Sequence, residues 1–149
     1  MQNEEEKEMP LVTSKQMLLD AQKGGYAVGA FNAENMEMVK AIIKAAEELK
    51  ASVMIQTTPS TVKYASLEMF VGMVAAEARS ASVPVCLHLD HGSSFELAVQ
   101  AIKEGYTSVM IDGSKLPFEG NVDVSARVAA VTELVKNRMK VCGCDGKAI

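Results

Sequence analysis

The chain has little of several residue types that often reveal a function. Its 149 positions hold no tryptophan, two histidines, three cysteines and 5% aromatic residues. The odd cysteine count argues against a disulfide framework. No apolar run reaches the length of a membrane span, and no P-loop, Gly-x-Gly-x-x-Gly or Ser-His-Asp pattern is present. The net charge of −4 comes without a basic stripe, which argues against a nucleic-acid partner.

Length and the two termini set the remaining expectations. A chain of 149 residues suits one domain over residues 1–149. Residues 1–8 are acidic and lack the apolar core of a secretory signal, so we expect a disordered start and a cytoplasmic protein. Cys86 lies in an apolar run, which is typical of a buried inert thiol. Cys142 and Cys144 are one residue apart, which is not the usual zinc spacing.

Short apolar runs alternate with amphipathic segments along the chain. We expect strands at 26–31, 52–56, 83–89 and 106–111 and helices at 14–23, 36–50, 66–80, 93–103 and 124–140. The polar segment 57–61 is expected to be a loop. The last helix should bury one apolar stripe, made of Val128, Val131, Leu134, Val135 and Met139. Residues 141–149 are expected to be loose.

Four apolar strands, each followed by a helix, predict an α/β fold with a parallel sheet covered on both faces. Polar residues cluster after the strands, as they do at the active face of a (β/α) barrel or a doubly wound sheet. A closed barrel needs eight such units. The sequence therefore predicts either an open sheet or part of a barrel.

Asp90 and His91 follow the third predicted strand and are the first candidates for chemistry. Neighbouring strand residues point to opposite faces, so both can reach one ligand only where the backbone turns. Gly92 permits such a turn. Asp90 could then move a proton while His91 binds a metal or polarises an oxygen. The alternative is a salt-bridged or capped pair at a strand end.

Other polar residues near the strand ends have two interpretations each. His88 lies inside a strand, which favours a hydrogen-bonded core histidine over a ligand. Asp112 is either a second carboxylate at the same rim or part of a turn. Thr58 belongs to a hydroxyl-rich segment that suits a phosphate or sugar ligand but is also typical of a plain loop.

Four motifs, read together, give the chain a family resemblance. They are Ala30-Phe31-Asn32, Gln56 to Thr61, His88-Leu89-Asp90-His91-Gly92, and Met110 to Glu119. In this order they resemble the class II, zinc-dependent ketose-bisphosphate aldolases, the fructose- and tagatose-bisphosphate aldolase group. The likeness extends from about Met9 to Asn121, and the segment from Met139 to Ala148 is similar to the carboxyl terminus of the same enzymes.

The resemblance implies a TIM barrel that reversibly cleaves a ketose 1,6-bisphosphate to dihydroxyacetone phosphate and glyceraldehyde 3-phosphate. In this family Zn²⁺ polarises the ketone and stabilises the enediolate. By position, Asp90 corresponds to the proton-transferring acid and His91 to a zinc ligand. Asp112 corresponds to an acidic residue near the metal, while Asn32 and Thr58 correspond to positions on the substrate side.

The family's later strands, with its other zinc-binding histidines and phosphate loops, have no counterpart here. We therefore expect a partial barrel of about four parallel strands with covering helices and a C-terminal helix, and an internal deletion with its junction near residues 121–131. Three hypotheses follow: an aldolase relative impaired on its own, a site rebuilt by a homo-oligomer or another subunit, or a non-catalytic module that binds sugar phosphates. The free edges of such a sheet also predict self-association, unless the last helix closes the open side.

Overall fold

The computed structural model describes the backbone of residues 11–141 and the side chains of residues 11–135. The expectations for residues 1–8, for the 141–149 tail beyond Val141, for Met139 and for the cysteines at 142 and 144 lie outside the described residues. The helices are α1 Ser14–Gly24, α2 Met36–Glu48, α3 Pro59–Ala65, α4 Leu67–Ser80, α5 Phe95–Glu104 and α6 Phe118–Val141. The strands are β1 Gly29–Asn32, β2 Val53–Thr57, β3 Val85–Gly92 and β4 Ser108–Ile111.

The four strands form one parallel sheet in the order β1-β2-β3-β4. Each strand is followed by a helix, as parallel connections require. The register places Asn32 beside Gln56, Gln56 beside His88, and His88 beside Ser108. All four strands therefore end at one edge of the sheet, where their polar residues meet.

Most of the core lies on the sheet face that packs against the helices, here called the outer face. Ile55, Leu87 and Leu89 on this face are fully buried against side chains such as Phe70 and Val74 of α4. Alternate residues of a strand, and residues three or four apart in a helix, point to the same side. The apolar residues of these elements follow that spacing and so lie on the buried side. The outer face thus supplies the main hydrophobic stabilisation of the domain.

The opposite face of the sheet, here called the inner face, is covered only in part. Met17 of α1 packs on Met54 and Cys86 near the strands' amino ends. Nearer the carboxyl ends the inner face presents a polar row, Asn32, Gln56, His88 and Ser108. The expectation that both faces are covered is therefore wrong, because α1 reaches only one end of the inner face.

Several predicted boundaries are corrected by the structure. The segment 57–61 is not a loop, because Pro59 begins α3 and Thr58 caps it. The last helix begins at Phe118 rather than near residue 124. Its predicted stripe holds at Val128, which is buried, but Leu134 is 64% exposed. Leu134 therefore stays largely in solvent although it lies at helical spacing from Val128 and Val131.

Among the described residues, no helix combines the length and apolarity needed to cross a membrane.

Candidate active site at the carboxyl ends of the strands

The end of β3 contains a β-bulge that reorients its last side chains. Leu89 pairs with Val109 and Gly92 pairs with Ile111, so three steps along β3 match two along β4. His91 absorbs the extra residue with a positive φ of 51°. Bulges of this kind redirect side chains next to functional sites. The bulge therefore provides the break in alternation that Asp90 and His91 need to approach one ligand.

The turn that Gly92 permits is made by its neighbour His91. The left-handed residue is His91, whereas Gly92 is required for a close approach between strands. A Cβ at position 92 would lie 2.6 Å from the backbone oxygen of Met110. The Gly92 carbonyl also accepts the Asp112 amide at 2.9 Å. Gly92 therefore fixes how closely β4 approaches the end of β3, which sets the position of Asp112.

His91 and Asp112 form the central contact of the site. The Nδ1 atom of His91 lies 2.9 Å from Oδ2 of Asp112, and Asp112 Oδ1 accepts the Ser114 amide at 3.0 Å. Since an ionised carboxylate only accepts hydrogen bonds, the proton of the neutral ring resides on Nδ1. The Nε2 lone pair is then available, in the arrangement that commonly orients metal-binding histidines. Asp90 Oδ1 lies 4.0 Å from Nε2.

The charges of the cluster reinforce this arrangement. Hydrogen bonds from Ser114 and His91 hold the pKa of Asp112 well below its usual range. The hydrogen bond to Asp112 and the nearby charge of Asp90 raise the pKa of His91. The His91 side chain is 60% exposed, whereas Asp90 is only 18% exposed. An open imidazole therefore stands beside two carboxylates that favour a cation at this point.

His88 is hydrogen-bonded, as the sequence predicts, but it is half-buried in the polar row of the inner face and is not part of the core. Its Nδ1 atom lies 2.8 Å from Ser108 Oγ, which donates to Ser14 Oγ at 3.0 Å. Burial lowers the pKa of His88, and the charge of Asp90 partly opposes that effect. The sequence did not predict that Ser108 and Ser14 are hydrogen-bond partners in this row. The β3–β4 register places Ser108 beside His88, but no local sequence pattern places Ser14 near Ser108.

Asn32 and Thr58 lie apart from the group formed by Asp90, His91 and Asp112. Asn32 ends the exposed strand β1 and begins the polar row on the inner face. Thr58 caps α3, and its hydroxyl is within hydrogen-bond distance of the Ser60 and Thr61 hydroxyls, at 2.8 and 3.0 Å. Thr61 in turn donates to Glu34 at 2.9 Å. The Thr58 hydroxyl thus has a capping role, while Asn32 is open to a ligand.

An open cleft of about 510 Å³ lies beside His91 and Asp112. Ser60, Ser93 and Lys115 also line it. The cleft therefore combines one lysine and several hydroxyls near the imidazole with apolar side chains such as Ile111, Leu116 and Val124. Such a composition suits a small anionic, hydroxylated ligand.

The described residues do not complete a metal site. They contain no group of three or more histidine, cysteine, aspartate or glutamate side chains placed to hold one ion. A catalytic zinc takes about three protein ligands. His91 Nε2 is one suitable donor, but both Asp112 oxygens already accept hydrogen bonds. The described residues can therefore supply one ligand of a zinc site, His91, but not the full set of about three.

Comparisons with known proteins identify the family of the chain. The sequence model "Fructose-bisphosphate aldolase class-II" matches residues 12–137. A probable fructose-bisphosphate aldolase of Bacillus subtilis is 48% identical over 123 residues, which cover 80% of this chain and 43% of that protein. The fructose-bisphosphate aldolase of Thermus caldophilus is 46% identical, with coverage of 84% and 41%.

Solved structures give the same match. The YdjI aldolase from Escherichia coli K12 superposes with a TM-score of 0.79 and 34% identity, covering 85% of this chain and 49% of that one. A putative fructose-1,6-biphosphate aldolase from Coccidioides immitis gives 0.73 and 31%, covering 78% and 46%. The fold is therefore a partial TIM barrel, and the chain spans less than half the length of these relatives.

Proposed function

The chain belongs to the class II fructose-bisphosphate aldolase family, and from this premise we propose that the rim of β3 and β4 is one part of an aldol-cleavage site. The proposed substrate is a ketose 1,6-bisphosphate, of the fructose or tagatose type. The observation that carries the proposal is the His91–Asp112 contact of 2.9 Å, which leaves Nε2 available beside Asp90.

In this proposal each residue of the rim has a separate task. Asp90 is the proton-transferring acid, because it is a largely buried carboxylate at the strand end. Asp112 positions the His91 ring and fixes its tautomer instead of binding the metal itself. We assign the substrate's hydroxyl and phosphate groups to Asn32, which is exposed at the end of β1, and to Lys115, which lines the cleft.

Zinc, when bound in this family, supplies Lewis-acid polarisation of the substrate carbonyl. The described residues provide one clear ligand for it, so the proposal includes weak zinc binding and impaired cleavage by this chain alone. The cytoplasmic location and the internal junction near residues 121–131 stay predictions from the sequence.

Zinc titration and an aldol-cleavage assay test the proposal together. We expect zinc to bind with low affinity and His91→Asn to abolish that binding, since asparagine tolerates the left-handed backbone but is a poor zinc ligand. His88→Gln is the matched control, because it removes the other imidazole and can keep a hydrogen bond to Ser108. Cleavage of fructose 1,6-bisphosphate should be slow and depend on added zinc.

Two other results would change the assignment. Tight, stoichiometric zinc with rapid cleavage by the isolated chain would contradict the impairment. A zinc affinity that His91→Asn leaves unchanged would remove His91 from the site. Binding of fructose 1,6-bisphosphate without zinc or cleavage would instead support the alternative of a non-catalytic sugar-phosphate-binding module.

A further inference from the structure

β1 is far more exposed than the two inner strands of the sheet, and β4 is half-buried except at Met110. All residues of β2 and β3 are buried or half-buried except His91, whereas three of the four β1 residues are exposed. Each outer strand carries a large apolar side chain in solvent: Phe31 of β1 is 52% exposed and Met110 of β4 is 39% exposed. Strands of a parallel sheet are normally buried on both faces. The exposure at β1 and β4 therefore indicates surfaces that lack a neighbour.

The backbone at these edges is also ready to pair. Ala33 donates its amide to Gln56 at 3.0 Å, which directs the amides of alternate residues toward β2. The amides of Ala30 and Asn32 therefore point away from the sheet. Likewise, Thr107 donates to Leu87 at 3.0 Å, which directs Ser108 toward the free side of β4. Within residues 11–141, no further strand pairs with either edge.

We propose that a second copy of this chain covers both edges. In the assembly, β4 of each copy pairs in parallel with β1 of the other copy, and the two half-barrels close into one barrel of eight strands. This inference concerns assembly and stands apart from the proposed chemistry of His91 and Asp90.

The curvature and length of the sheet favour a second copy over other occupants. The TM-score of 0.79 against a solved aldolase that is covered to 49% shows that the four strands keep the path of half a barrel. Half of an eight-stranded barrel is what a two-fold axis can complete.

The two edges also match each other in length, because β1 and β4 have four residues each. Phe31 lies on the outer face of the sheet and Met110 on the inner face, so the joined strands would cover an apolar side chain on each face. A two-fold axis repeats the β1–β4 contact, so no strand edge is left for further growth. The polar rows of the two copies, each made of Asn32, Gln56, His88 and Ser108, would then face each other across the barrel axis.

Light scattering coupled to size exclusion tests this with the 149-residue chain. We expect a species of twice the 16.0 kDa chain mass over a wide concentration range. Ala30→Pro should convert it to a folded monomer, because proline removes an amide of the free edge and leaves the β1–β2 bonds in place. Phe31→Lys should shift the equilibrium in the same direction, because it places a charge in the joined interface.

Met69→Lys is the matched control. Met69 is 59% exposed on α4, which contacts both α2 and α5 and so lies away from either edge. This variant should stay dimeric, and circular dichroism should show that all variants keep the wild-type helix content. A folded wild-type monomer, an Ala30→Pro dimer, or larger open assemblies would each overturn the proposal. None of these results depends on zinc or on aldol cleavage, so the proposed function is tested separately.

Discussion

At the scale of single residues, Gly92 is the position where one methyl group has a clear expected cost. A Cβ there would lie 2.6 Å from the Met110 backbone oxygen, which cannot move without shifting β4. We expect Gly92→Ala to lower the free energy of unfolding by about 1–3 kcal/mol. Gly72→Ala is the control, because a Cβ at that exposed position of α4 meets nothing within 4 Å. It should raise stability by about 0.5–1 kcal/mol. Urea unfolding measures both, and equal effects would contradict the contact.

The two histidines should affect the pH dependence of stability in opposite directions, so that their contributions can be measured separately. Burial lowers the pKa of His88 from its ordinary value of 6.5, so the unfolded chain takes up this proton first as the pH falls. Stability contributed by neutral His88 is therefore present above pH 6.5 and is lost as the pH falls below it. The raised pKa of His91 has the opposite sign, because its contribution is present below pH 6.5 and is lost as the pH rises.

Denaturant unfolding in chelator across this range checks the assignment. His88→Gln should flatten the decline in stability on the acid side, while His91→Asn should leave that decline and flatten the change above pH 6.5. An acid-side decline that persists in His88→Gln would mean that other groups cause it.

At the scale of elements, the helix caps give a direct comparison. Asn35 caps α2, and its side chain accepts the Met38 amide at 2.9 Å. Thr13 occupies the same position before α1 but makes no side-chain cap bond. We expect Asn35→Ala to cost about 1 kcal/mol of unfolding free energy, and Thr13→Ala to cost less. Thermal unfolding of the two variants tests this, and a larger loss for Thr13→Ala would contradict the capping geometry.

Element type was predictable from the sequence where periodicity was long and uniform. The apolar positions of α2 and the run of β3 predicted a helix and a strand, and the structure has both. The short helix α3 was missed because Thr58 and Pro59, a cap and a first-turn proline, also fit a loop. The β3 bulge and the positive φ of His91 were missed because the β4 register, a non-local contact, sets them.

The candidate site divides in the same way. Asp90, His91 and Asp112 could be placed at one rim because parallel strands end together, and the structure brings these three residues close to one another. The division of tasks between His91 and Asp112 could not be predicted, since it depends on which ring nitrogen faces the carboxylate. The hydrogen bonds of the Thr58 hydroxyl could not be predicted either, because they form only when residues 59–65 fold as α3.

At the scale of the whole molecule, the exposed strand edges link stability to association. If two copies close one barrel, each molecule of native dimer is more stable than two separate chains, so the unfolding midpoint must rise with protein concentration. We expect a higher midpoint in concentrated wild-type samples and no such rise for Ala30→Pro. Met69→Lys should behave as the wild type does. Calorimetry at several protein concentrations measures this, and a midpoint independent of concentration in a reversible transition would mean that the half-barrel is stable alone.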